Sequence, residues 1–197
     1  MSKYLDDFLQ AEVCPVLRAN AFGRDGMLFS RDRHWCVDMI EFLECRYRPL
    51  TFTINLGIFV PEMHELVWGD QPIGGSAFCQ LRRRIGEINR SGGKSLDLWW
   101  KLDLNSMPNV ATEIKTLIDD VMLPYLEKVG SLPQLKHEIE KSPKSVLSQQ
   151  ATKLGLAAIA ATVGDTESAR KLLSSMVNSS WSKNANVLAD RLKLKPL

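Results

Sequence analysis

Gly92-Gly93-Lys94-Ser95 ends like a phosphate-binding loop, and it is the first of three residue groups whose types and spacing could do chemistry. Such a loop needs a glycine five residues before its last one, so that successive backbone N–H groups curl round a phosphate ahead of a helix. Ile88 occupies that position, and the residues that follow (Leu96, Leu98, Trp99, Trp100, Leu102) suit a strand. The segment therefore reads as a hairpin connection and implies no nucleotide. The second group is His34, Asp38, Glu41 and Glu44, on or beside one strand-like stretch. Carboxylates and an imidazole exchange protons when gathered in a cleft, but spacing alone supplies no neighbour that would tune them, so no catalytic residue is assigned. The third is Arg82, Arg83, Arg84 and Arg90 with Lys94. Phosphate recognition needs several cations on one surface, whereas alternation along a strand separates Arg83 from its neighbours.

Metal and disulfide chemistry find little support. Cys14, Cys36, Cys45 and Cys79 contain no Cys-x-x-Cys pair and sit among apolar neighbours, so reduced, buried thiols are expected. His34, His64 and His137 are scattered, and His64-Glu65 lacks the second histidine of a zinc-protease helix. No metal ligand and no cofactor is expected.

The elements that would position these residues follow from periodicity. Leu5, Phe8, Leu9, Val13, Val16 and Leu17 form a helical stripe over residues 2–19, with a kink or second short turn at Pro15. After a turn at 20–26, a first strand begins at Met27. Residues 35–47 alternate, then shift as if a bulge moved the register. In "TFTINLGIFV", Phe52, Ile54, Leu56, Ile58 and Val60 share one face, while Thr51, Thr53, Asn55 and Gly57 share the other. Residues 61–76 read as a flexible loop. In "FCQLRRRIGEI", Cys79, Leu81 and Ile85 oppose Gln80, Arg82 and Arg84, with Arg83 on the apolar side or at its edge. Residues 97–102 supply a last strand, and short polar connections imply an antiparallel meander. Asn109 is placed to cap a long helix kinked at Pro124, and Ser131 a short one ending at Ser142-Pro143. Beyond Pro143, Gly164-Asp165 divides two small-residue-rich helices, and residues 183–195 form a third.

The expected fold is α+β: an antiparallel sheet of about five strands packed against helices, followed by an α-helical extension. The expected division is an α+β domain at 1–141 and a helical hairpin extension at 142–197. Composition agrees, with 45% hydrophobic and 24% charged residues, values of an ordinary globular chain. The net charge of +2 is uneven. Residues 142–197 hold eight Lys/Arg against three acids, which leaves the rest of the chain acidic. No apolar run is long enough for a membrane span, and residues 1–7 lack the basic start and apolar core of a signal peptide. A cytoplasmic protein without a membrane partner is expected.

The order Val16-Leu17, Phe22-Gly23, "GMLFSR", "TFTINLGIFVPE", "LRRRIGEI", "WWKL" and "LPYLEKVGSLPQL" resembles the bacterial domain-of-unknown-function 4304 family over about residues 1–140. The resemblance implies a small α+β domain in a bacterial cytoplasm and carries over no catalytic residue.

Function is therefore read from side-chain types. One sheet face mixes Thr53, Asn55, Arg82 and Arg84, and tryptophans stand at Trp68, Trp99, Trp100 and Trp181. Arginine and aromatic anchors are what protein interfaces use. The bland reading is that the tryptophans fill the core and the arginines pair with Glu41, Glu44 and Glu87. A non-enzymatic protein-binding module is expected, with Thr53, Asn55, Arg82, Arg84, Trp99 and Trp100 as its binding residues and a toxin-neutralising role as one subtype. Nucleic-acid or anion binding through the arginine cluster, and an enzyme using the strand carboxylates, are the alternatives.

Overall fold

Leu5, Phe8, Leu9, Val13 and Leu17 are all buried in the computed structural model, which describes residues 2–69, 79–89, 97–103, 106–141 and 149–194. They lie on α1 (Lys3–Phe8), a π-helical turn (Leu9–Val13) and α2 (Cys14–Ala19). The disturbance expected at Pro15 takes the form of that wide turn, just ahead of the proline. Proline lacks an N–H and its ring crowds the carbonyl four residues back; one extra residue in the turn relieves both. The same solution recurs at Pro124, where α5 (Met107–Leu117) runs through a π turn (Ile118–Met122) into α6 (Leu123–Lys128). Lys115 Nζ lies 2.6 Å from the Glu12 carboxylate and ties these two helical runs together.

Among the described residues six strands form one sheet: β1 (Gly23–Asp25), β2 (Leu28–Asp32), β3 (Val37–Glu44), β4 (Thr51–Phe59) and β5 (Leu81–Arg84) follow in chain order, and β6 (Trp100–Lys101) also pairs with β4. The β1–β2, β2–β3 and β4–β6 pairs are antiparallel. The chain is thus α+β with an antiparallel sheet and C-terminal helices. An aromatic seam holds the core. Phe52 touches Phe8, Phe42 and Trp100 at centroid separations of 5.9, 5.8 and 5.7 Å, and Phe29 meets Phe42 at 5.7 Å. Each such pair adds about 1 kcal/mol beyond the area it buries.

Several local expectations change. The turn at 20–26 contains a strand, β1. No bulge interrupts β3 where it meets β2, since pairing steps one for one from Leu28↔Glu41 to Asp32↔Val37. Met39 and Ile40, on opposite faces, are both buried, so the apolar run reflects cover on both sides. All nine residues of β4 are buried, so its Thr/Asn face is internal. Residues 61–68 are a helix, α3 (Pro61–Trp68), where a loop was expected. Pro61 begins it at a position where its missing N–H costs nothing, and Met63 and Val67, one turn apart, are buried. The arginine strand stops at Arg84 and gives way to a single helical turn, α4 (Ile85–Ile88). Ser106 takes the cap position of α5 that was assigned to Asn109, because Pro108 fixes the helix start upstream; the Ser106 N–H donates to Asp103 Oδ1 at 2.8 Å.

The C-terminal helices are α7 (Leu132–Glu140), α8 (Gln149–Thr162), α9 (Thr166–Ser174) and α10 (Ser182–Arg191). Gly164 (φ +86°) stops α8 in a conformation other residues resist, and Asp165 Oδ1 accepts the Ser168 N–H at 3.1 Å to start α9. The glycine loop at 92–95, Arg90, residues 70–76 and the Ser142-Pro143 boundary lie outside the described residues. Two compact units divide the chain. One comprises Met1–Ile58 and Arg83–Lys128, the other Phe59–Arg82 and Val129–Leu197.

Candidate functional site

Alternation along β5 leaves Leu81 and Arg83 buried and Arg82 and Arg84 half-buried, as the sequence pattern requires. Arg84 then meets the segment before β6. Its Nη1 lies 3.0 Å from Asp97 Oδ1, and its guanidinium carbon stands 5.3 Å from the centre of the Trp99 ring. Trp99 Nε1–H donates to the other Asp97 oxygen at 2.8 Å. One carboxylate therefore holds a cation and an indole against each other, and the Arg84 side chain stays 27% exposed. The segment is pinned from the β4 side: the Thr53 hydroxyl donates to the Leu98 carbonyl at 2.8 Å, Trp100 and Lys101 pair with Phe52 and Thr51, and the Leu102 N–H donates to Leu50 O at 2.8 Å. The Thr53 bond stands in for the ladder, which is why β6 is two residues long where six were expected.

Of the residues expected to bind, Arg84 and Trp99 come together at the surface. Thr53 supports them from within. Trp100 is 6% exposed and belongs to the aromatic seam. Asn55 is fully buried, and neither atom of its amide has a hydrogen-bond partner among the described residues. Arg82 is half-buried on the strand face it shares with Arg84. Asp97, which organises the pair, was missed by sequence reasoning; its place two residues before Trp99 was the available signal. Trp68 and Trp181 meet edge to face at 6.0 Å in the other unit.

The carboxylates of the possible acid–base group are not gathered. Asp38 is fully buried, directly opposite Arg31, and takes that guanidinium at 2.7 Å and Arg33 at 2.7 Å; Arg31 also reaches Glu127 at 2.6 Å. Burial pushes the Asp38 carboxyl above its ordinary range, against the pull of both arginines. The neighbouring Cys36 thiol is pushed up to about 11 by burial, which keeps it protonated and unreactive at neutral pH. Glu44 accepts the Ser2 N–H at 3.0 Å, and His34 is exposed. These charges fasten β2, β3 and α6 to one another. All four cysteines are free; Cys14, Cys36 and Cys79 are buried, whereas Cys45 is only half-buried.

In the second unit a pocket of about 590 Å³ is lined by Glu62, Met63, Glu65, Leu66, Gly69, Thr162 and Arg191. Arg191 Nη1 donates to the carbonyls of Glu65 and Leu66 at 3.1 and 2.7 Å and so closes the end of α3.

Among the described residues no helix is long and apolar enough to cross a membrane, and no three His, Cys, Asp or Glu side chains come together as a metal would require. No curated protein and no solved structure matches the chain. The family described as Domain of unknown function (DUF4304) matches residues 13–128, more than half of the 197 residues, and the chain belongs to that family.

Proposed function

We propose that this chain is a non-enzymatic protein-binding module whose contact surface centres on Arg84 and Trp99. The observation that carries the reading is the Asp97-held stack of those two side chains. Arginine and tryptophan dominate the energetics of protein interfaces, and a stack fixed before binding loses less side-chain freedom when a partner arrives. The buried position of Arg83 and the neutralisation of Arg84 by Asp97 weigh against a phosphate surface, which needs several uncompensated cations together. The locking of Asp38 between two arginines weighs against proton transfer there. A bacterial cytoplasmic location is part of the proposal, supported by four cysteines without a disulfide, the ordinary state of thiols in a reducing compartment.

The test is affinity capture of the tagged chain from its native lysate, with and without nuclease and at low and high salt. One protein recovered in stoichiometric amount under all four conditions is the expected result. Recovery that disappears with nuclease would shift the reading to nucleic acid.

A further inference from the structure

Glu62 and Glu65 project from the same face of α3, both exposed, and neither carboxylate has a partner among the described residues. Both line the 590 Å³ pocket, whose volume lies within the roughly 300–1,000 Å³ typical of ligand sites. Among the described residues three helices end at this pocket: α3 at Gly69, α8 at Thr162 and α10 at Arg191. The C-terminal end of a helix carries the equivalent of about half a negative charge, which a basic residue in the last turn ordinarily offsets. The last turns of α3 and α8 contain none. Glu65, in the last turn of α3, adds to the negative potential instead. Among the described residues Arg191 is the one cation lining the pocket, and its Nη1 donates to the Glu65 and Leu66 carbonyls. Beside the charged rim stand two apolar side chains: Met63, 1% exposed with its sulfur 3.7 Å from the Thr162 hydroxyl, and Leu66, which is half-buried and open to the pocket. Leu66 beside two carboxylates matches a side chain with an alkyl stem and a cationic head.

We propose that this pocket seats a lysine or arginine side chain of a polypeptide partner, an inference that rests on the protein-binding reading above. The stem lies along Leu66, and the head sits between Glu62 and Glu65. The pocket discriminates by charge: an acidic side chain meets two carboxylates and the end of α8, whose last turn holds no basic residue to offset it.

A fluorescently labelled, capped lysine-rich peptide titrated against the full chain at low salt tests this, with a glutamate-rich peptide of equal length as control. Anisotropy should report binding of the lysine peptide alone, weakening as salt rises and by about tenfold or more in Glu62→Gln/Glu65→Gln. Both substitutions are at exposed positions, and an unchanged melting temperature shows that the variant is folded. No binding by the wild type, or equal binding by the variant, would overturn the proposal. Displacement by free spermidine as effective as that by the unlabelled peptide would assign the pocket to small polyamines and overturn the polypeptide source. Lysine-peptide binding without any protein recovered from lysate would remove the module reading alone. A partner recovered without lysine-peptide binding would remove the pocket alone.

Discussion

Thr53 and Asn55 sit two residues apart on the same face of β4, both fully buried, yet their polar atoms fare differently. The Thr53 hydroxyl is used, holding Leu98 in place, whereas both atoms of the Asn55 amide are unpaired. Thr53→Val should therefore cost about 1 kcal/mol and loosen the Trp99 segment, because the Leu98 carbonyl loses its donor. Asn55→Leu should leave stability unchanged or raise it, since the unpaired amide is removed without breaking a bond. Urea unfolding of both variants checks the contrast, and a large loss in Asn55→Leu would show that its amide is paired after all. Asp165 supplies a pH signature. Its bonds to Ser168, with Lys136 nearby, hold the carboxyl below the ordinary aspartate value of 3.8. A depressed value means stability present above 3.8 and lost as pH falls through the folded-state value. Asp165→Asn keeps the cap but drops the charge. It should melt slightly below the wild type at neutral pH and together with it in strong acid.

Elements were legible where the periodicity was long and the punctuation strong. The N-terminal stripe, the alternation in "TFTINLGIFV", the inward turn of Arg83 and the Gly164-Asp165 stop all follow from spacing and appear as expected. What stayed hidden has physical causes. Residues 61–68 gave too short an apolar pattern, and their helix has no side-chain cap; only burial of Met63 and Val67 marks it. The polar face of β4 reads as exposed, because Thr and Asn in alternation look the same whether water or protein covers them. Asp97 is invisible as an organiser until Arg84 is brought across to it. Gly164 is the element-scale test. A Cβ there meets nothing within 4 Å, so Gly164→Ala reports backbone strain alone. It should cost about 1–2 kcal/mol by urea unfolding, the expense of a left-handed alanine. No loss would place the end of α8 in another conformation.

At the scale of the whole molecule, the aromatic seam and the fully buried β4 make the sheet the centre of stability of its unit. Leu56→Asp should abolish cooperative melting, because an unpaired charge at a position 1% exposed costs several kcal/mol against the 5–15 that stabilise a domain. Retained cooperative melting would contradict the placement of Leu56 in that core. Against this rigid frame, the Arg84–Trp99 stack is held from three sides, by Asp97, Thr53 and the β4–β6 pairing. A surface so fixed binds with little reorganisation, which is the basis of the proposed function. The measurement that tests it most directly is parallel capture from native lysate by the wild type and by Arg84→Ala/Trp99→Ala, both shown to be folded by their melting curves, with nuclease and high salt present. A protein recovered stoichiometrically by the wild type and lost from the variant is the predicted result. Equal recovery by the two chains, or none by either, would contradict a module that binds through this surface.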